Sequence, residues 1–318
     1  MPERLLLTGA SGFVGRALVA PLLAQGFELH AVSHRAPPPA TAIRWHRADL
    51  LDEVAARALL RDVRPAVLVH AAWYVEHGRF WTAPENAAWL AASEALAADF
   101  AELGGRRILG IGSCAEYADA AGEDALPWPE SRPIGPGTPY GRAKAELAER
   151  LAHLGERRPV SVAWARLFHL FGEGEPQGKL VPSVALALLA GREAPCASGR
   201  PVRDFAATRF IGGALAAVAA SGVTGPVNVA SGEGRTIAEV VRILGEAAGR
   251  PGLVRLGALP DRPGEVPCMV ADVTRLRRQI GFTAAPGVEA DLRAMLRHLG
   301  ENRGMVGAAG IEPATLRV

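Results

Sequence analysis

Cysteine is scarce: Cys114, Cys196 and Cys268 are the only three in 318 residues. They are too few and too scattered for a disulfide framework or a zinc site, so no metal is expected. No run approaches the roughly 20 uncharged apolar residues that span a bilayer. Met-Pro-Glu-Arg leads straight into an apolar stretch, which leaves no room for a secretory signal. An excess of one charge is missing too, because 35 basic and 33 acidic residues leave a net charge of +2. That balance argues against a nucleic-acid surface. Together these absences make a cytoplasmic chain with no membrane and no nucleic-acid partner the expectation. A composition that is 49% hydrophobic can bury one large or two moderate cores, so a main domain with a smaller appendage is expected. Residues 301–318 show no apolar periodicity and read as a disordered tail.

What is present begins with Leu5-Leu6-Leu7-Thr8-Gly9-Ala10-Ser11-Gly12-Phe13-Val14-Gly15. Three leucines suit a strand buried on both faces; Gly9 and Gly12 suit a tight turn beside a pyrophosphate, and Gly15 a helix packed close to the sheet. The helix N-terminus, at Phe13 and Val14, then faces the anion. The spacing Gly-x-x-Gly-x-x-Gly departs from the usual Gly-x-Gly-x-x-Gly.

Strands and helices alternate from there. Phe13 to Gln25 has helical spacing, Glu28 to Val32 reads as a second strand, Trp45 to Asp49 as a third and Pro65 to Ala72 as a fourth. Glu85 to Leu103 makes an Ala-rich helix, and Arg106 to Gly112 a fifth strand. Crossovers of this length predict a parallel, doubly wound α/β sheet. After the second strand, where NAD-binding units carry an acid for the ribose hydroxyls, the chain offers Ser33-His34-Arg35. A guanidinium pairs with a 2′-phosphate that a carboxylate would repel, so NADP(H) is favoured over NAD(H). Asp49, followed by Leu50, is placed to accept from an adenine amino group. Small residues at Ala71 and Ala72 let a cofactor lie against the backbone.

Tyr140 and Lys144 stand four apart on one helix face. A phenol with an ordinary pKa near 10 exchanges protons poorly at neutral pH; a neighbouring ammonium would favour the phenolate. Ser113, at the end of the fifth strand, could hydrogen-bond the same substrate oxygen.

These motifs resemble the extended short-chain dehydrogenase/reductases, the nucleotide-sugar epimerase/dehydratase family, from Leu5 to about Leu299. The resemblance implies a Rossmann domain at 1–170 with a return segment at about 205–232, and a smaller substrate domain from 171–204 and 233–300. Thr8, Gly9, Ser11, Gly12, Phe13, Val14, Gly15, Ser33, Arg35, Asp49, Leu50, Ala71, Ala72, Tyr140 and Lys144 would hold the dinucleotide. Ser113, Tyr140 and Lys144 would be catalytic. Trp73, Ser113, Cys114, His169, Lys179, Leu180, Arg203 and Arg262 would meet a nucleoside-diphosphate sugar, with His169 standing where the family has Asn. Lys179, Arg203 and Arg262 would meet its diphosphate. Glu265 keeps the acid of the family's Arg-x-Gly-Asp element. The Ala-rich helices at 86–103 and 143–154 would form a homodimer interface.

Within the family, dehydratases carry Asp-Glu directly after the serine, and this chain has Cys114-Ala115. Epimerase-reductases of the fucose synthase kind use a Cys two residues after it, where Ala115 stands. The expectation is reduction of a 4-keto-6-deoxyhexose nucleotide by NADPH; a 4-epimerase with retained NAD and a non-catalytic NADP sensor are the alternatives. Trp73, Tyr74, His77, Phe80 and Trp81 form either an apolar lid over the sugar or core or dimer packing. Val273 to Ile280 and Val288 to Leu299 read as helices of the smaller domain.

Overall fold

A computed structural model describes residues 2–34, 42–119 and 127–303, so Arg35 and everything from 304 onward lie outside the described residues. The chain runs through β1 (Arg4–Thr8), α1 (Phe13–Ala24), β2 (Glu28–Ser33), β3 (Arg44–Arg47), α2 (Glu53–Val63), β4 (Val67–His70), α3 (Glu85–Glu102), β5 (Arg107–Ser113), α4 (Pro139–Arg157) and β6 (Ser161–Leu167). It continues with β7 (His169–Phe171), α5 (Leu180–Leu189), β8 (Ala194–Pro195), β9 (Val202–Ala207), α6 (Thr208–Ala220), β10 (Gly225–Val229), β11 (Gly234–Thr236), α7 (Ile237–Ala247), β12 (Val254–Arg255), β13 (Cys268–Met269) and α8 (Val288–Arg303).

Seven strands form one sheet in the order β10-β6-β5-β4-β1-β2-β3, each pair parallel. The fold is a doubly wound α/β sheet of Rossmann type. Alternation within the strands explains why both faces are dry. Leu5, Leu7, Val67, Val69, Leu109 and Ile111 point into a core shared with α1 and α6. Leu6, Leu68, Ile108, Val162 and Trp164 point the other way, into a core shared with α2, α3 and α4. Strand order reverses between β1 and β4, which opens a crevice at their carboxyl ends.

A third cluster lies beyond β6. Phe171, Val181, Val184, Leu188, Val240, Leu244 and Leu292 pack there, from β7, α5, α7 and α8. Strand β9 joins the two bodies, since Phe205 and Ala207 face this cluster while Ala206 faces the main sheet's core. It is paired with β7, β11 and β13. The helix expected at Val273 to Ile280 is instead a single π-type turn, Arg275–Gln279. Leu276 buries in the main sheet's core, with Ile280 and Phe282 packed against it. Arg275 donates to the carbonyls of Pro226 and Thr224. Held at the start of β10 and buried in the main sheet's core, this turn belongs to the larger body. Among the described residues, no helix is long and apolar enough to cross a membrane, and no cluster of three or more His, Cys, Asp or Glu could hold a metal ion.

One buried carboxylate ties β9 to its surroundings. Asp204 is fully buried and accepts from the backbone amides of Ser231, Gly232 and Ala271 and from the Ser231 hydroxyl. Asp204→Ala leaves these donors unpaired and should cost about 3 kcal/mol, read as a Tm lowered by roughly 5 °C. A Tm within about 2 °C of wild type would show that water replaces the carboxylate.

Candidate active site

The crevice at the sheet's carboxyl edge holds a cavity of about 490 Å³. Its first wall is main chain. Gly9 adopts φ +69°, and a Cβ there would stand 2.7 Å from the Ala71 carbonyl carbon and the Ala72 nitrogen. A Cβ on Gly15 would stand 2.0 Å from the Gly9 oxygen. Helix α1 begins at Gly12 with no side-chain cap and no acid in its first turn, so its amides face the cavity beside Ser11, Phe13 and Val14. A cradle with room for backbone alone, at an uncapped helix N-terminus, fits a dinucleotide pyrophosphate. Ser33, Asp49, Leu50, Ala71 and Ala72 line the same space; Asp49 Oδ1 also accepts from the Leu51 amide. Arg35 lies outside the described residues.

Thr8 is not on the cavity wall. It is fully buried, and its Oγ1 accepts from the amides of Ala71 and Ala72, each at 3.1 Å. His70 completes this clamp. Ser93 Oγ donates to the Trp89 carbonyl and so accepts from His70 Nε2, at 2.8 Å. Nδ1, at 2.9 Å from Thr8 Oγ1, is then the acceptor of the threonine proton. Burial, and then the Lys144 charge, bring the His70 pKa down to about 3, so the ring is neutral.

Ser113, Tyr140 and Lys144 all reach the cavity. Thr138 caps α4 by accepting from the Gly141 amide, which sets Tyr140 in the first turn. The phenol packs edge-on against Phe80 and Trp81 at 5.0 and 5.6 Å. Burial pushes its pKa up; a hydrogen bond with Ser113 opposes this, and the charge of Glu116 adds to it. Lys144 is buried. Its Nζ donates to the Ile111 carbonyl at 2.9 Å and stands 3.8 Å above the Trp73 ring. Burial brings its pKa down to about 7, with Glu116 pushing back. An ammonium that depresses the phenol is the expectation from sequence; here Lys144 is turned to a carbonyl and an aromatic face, and desolvation governs both groups.

The aromatic segment divides between the two roles considered for it. Trp73 and Phe80 are buried, whereas Trp81 is 38% exposed, and all three line the cavity with His77. Tyr74 does not; its hydroxyl donates to Glu76. Asn86 clips the segment, accepting from Trp73 Nε1 and donating to the Phe80 and Ala83 carbonyls.

The far wall comes from the segment leading into α5. His169, Lys179 and Leu180 line it. Burial, then the charges of Arg203 and Lys179, bring the His169 pKa down to about 3; its Nδ1 is buried without a hydrogen-bond partner. Cys114 lines the cavity as a thiol whose pKa burial raises to about 12. Arg203 and Arg262 are not on the wall. Arg203 is buried, donating to the carbonyls of Val202 and Val266 and pairing with Glu265 at 2.7 Å. The two arginine-bearing elements thus meet each other, and Phe205 is the member of the first that faces the cavity.

Glu175 is the wall residue that sequence reasoning missed. It is buried, Oε2 has no partner, and burial raises its pKa to about 8 against Lys179 and the Gly172 amide. A signal was available for its neighbour. The chain has two lysines, Lys144 and Lys179, among 35 basic residues, and both line this cavity.

Similarity to known proteins agrees with this arrangement. The chain is 30% identical over 296 residues to a dTDP-6-deoxy-L-talose 4-dehydrogenase (NAD(P)(+)) of Kitasatospora kifunensis, covering 89% of this chain and 91% of that one. It is 27% identical to a dTDP-4-dehydro-6-deoxy-D-allose reductase of Streptomyces bikiniensis, covering 92% and 96%. The UDP-glucose 4-epimerase of Thermus thermophilus, solved in complex with NAD, superposes with a TM-score of 0.81 over 96% of this chain and 100% of that one. At 24% identity that likeness speaks for the fold. The family model described as NAD dependent epimerase/dehydratase matches residues 5–230. With that match spanning most of the chain, and with the glycine cradle, serine, tyrosine and lysine gathered at one sheet edge, the protein belongs to the NAD dependent epimerase/dehydratase family.

Proposed function

We propose that the protein reduces the 4-keto group of a nucleoside-diphosphate 4-keto-6-deoxyhexose, with NADP(H) preferred. The observation that carries this reading is the convergence of Ser113, Tyr140 and Lys144 on one cavity, between the backbone cradle and the His169, Glu175 and Lys179 wall. When bound, the reduced dinucleotide supplies the hydride. Tyr140, whose proton burial retains, gives it to the carbonyl oxygen as charge develops there. Ser113 Oγ, oriented by the Ala115 amide at 3.2 Å, holds that oxygen in line. Lys144 lends positive charge, and Trp73, Phe80 and Trp81 exclude water. Lys179 anchors the diphosphate, a remote contact whose binding energy goes into orienting the sugar.

Cys114 and Ala115 offer no acid and base for elimination. Ser33 and His34 line the cavity at the end of β2 and bring no carboxylate against a 2′-phosphate. The Kitasatospora relative, named for a 4-dehydrogenase, supports 4-keto chemistry. Purified protein should consume NADPH with a dTDP-4-keto-6-deoxyhexose. Interconversion of UDP-glucose and UDP-galactose with no added dinucleotide would instead make it an epimerase. Tyr140→Phe should lower kcat about 10³-fold while dinucleotide affinity, measured by fluorescence titration, stays within about twofold. A silent substitution would point to a sensor.

Glu175 gives the substrate wall a carboxyl that is neutral in the folded chain up to about pH 8 and ionised in the unfolded chain above about 4.5. The folded state then binds the extra proton, so this stabilising contribution is complete below the lower value and lost as pH rises through the higher one. Glu175→Gln should therefore gain on wild type by about 3 °C or more in Tm between acid and alkaline buffer. A Tm difference independent of pH would mean that the carboxyl is ionised when folded.

A further inference from the structure

We propose that Glu116 is a positioning residue of this site: sealed beneath the cavity floor, its carboxylate holds the Ser113 main chain and supplies the negative charge against which the Lys144 ammonium is held. It rests on the roles given above to Ser113, Tyr140 and Lys144.

Glu116 closes the short helical turn Cys114–Glu116 and is 0% exposed. Oε1 accepts from the Ser113 amide at 2.7 Å and from Trp164 Nε1 at 3.0 Å. Oε2 accepts from Trp164 Nε1 at 3.0 Å and Arg166 Nε at 2.8 Å. Arg166 in turn donates to the Tyr117 hydroxyl and the Glu130 carbonyl, and Tyr117 donates to Asn228. The seat is made by leaving a side chain out. A Cβ on Gly112 would stand 2.2 Å from Trp164 Nε1 and 2.4 Å from Glu116 Oε1.

Burial raises the pKa of Glu116, while Arg166 and the hydrogen bonds lower it. The donors decide. The Ser113 amide, the indole and the guanidinium all face the carboxyl with N–H groups, and none can accept a proton from it. The ionised form is the one that fits. Above it, Lys144 lies between Trp73 at 3.8 Å and Trp164 at 6.0 Å, with neutral His70 facing it from β4 and Tyr140 on its own helix. Desolvation favours the neutral amine and the Glu116 charge favours the ammonium. The same charge favours the protonated phenol of Tyr140. One anion therefore holds both groups in the state a proton donor needs, and fixes the strand end that carries the third.

Lysine scarcity makes the test direct, because ¹³Cε-lysine labelling gives two side-chain signals, assigned with Lys179→Arg. In Glu116→Gln the amide keeps one acceptor oxygen and loses the charge. The Lys144 titration midpoint should move to lower pH by about one unit with Lys179 unmoved. The alkaline limb of kcat with a dTDP-4-keto-6-deoxyhexose should move the same way, kcat falling about tenfold with KM within about twofold. Leaving Arg166 uncompensated could unfold that variant, so Glu116→Gln with Arg166→Met, which removes both charges, is measured beside it, with a smaller shift in the same direction expected. A Lys144 midpoint equal to wild type in either folded variant overturns the proposal. So does a kcat loss matched by lost dinucleotide affinity at an unchanged pH profile. Tyr140→Phe separates the two levels: turnover retained there sinks the reaction assigned to the site, while the lysine titration still decides Glu116.

Discussion

Every functional group described above depends on one constraint, that a parallel sheet buried on both faces must end all its strands at the same edge. In that register Thr8 lies opposite His70, Gly112 opposite Arg166, and Ser113 opposite Leu167. The clamp on Ala71 and Ala72 and the seat of Glu116 are therefore both side-by-side neighbours across adjacent strands. Neither depends on a long loop finding its place. Strand β9 extends the same logic to the smaller body, since alternate residues along it face the two cores.

Basic residues are divided by geometry. Arginines away from the cavity make fixed contacts, with acids, as Arg57 does with Asp99 and Glu102, Arg150 with Glu94 and Arg203 with Glu265, or with carbonyls, as Arg275 does. A planar fork suits such fixed contacts, whereas a compact ammonium suits a dry site where charge has to be balanced finely. The two lysines occupy the cavity. This division explains why Arg203, read as a diphosphate contact, is held by a carboxylate from the neighbouring element instead.

What could be read from the sequence was local. The strand runs, the glycine turn at residues 9–15, and the four-residue step from Tyr140 to Lys144 are short-range patterns, and the fold followed from them. Glu175, Glu116 and the His70 clamp could not be read that way, because their meaning lies in burial and in partners far along the chain: Trp164 and Arg166 are about 50 residues from Glu116. Val273 to Ile280 departs from its expected helix for the same reason. Its apolar spacing suits a helix, yet Leu276 in the main core and the carbonyls at the start of β10 hold it to the larger body as one turn.

The cradle formed by Gly9, Gly15 and the Ala71-Ala72 backbone has a consequence for how such a protein changes over generations. Grip by peptide groups depends on thinness, and most substitutions elsewhere leave it intact. The opposite wall is built from side chains, which drift one at a time. Side chains on that wall can therefore be exchanged without altering the main chain of the cradle.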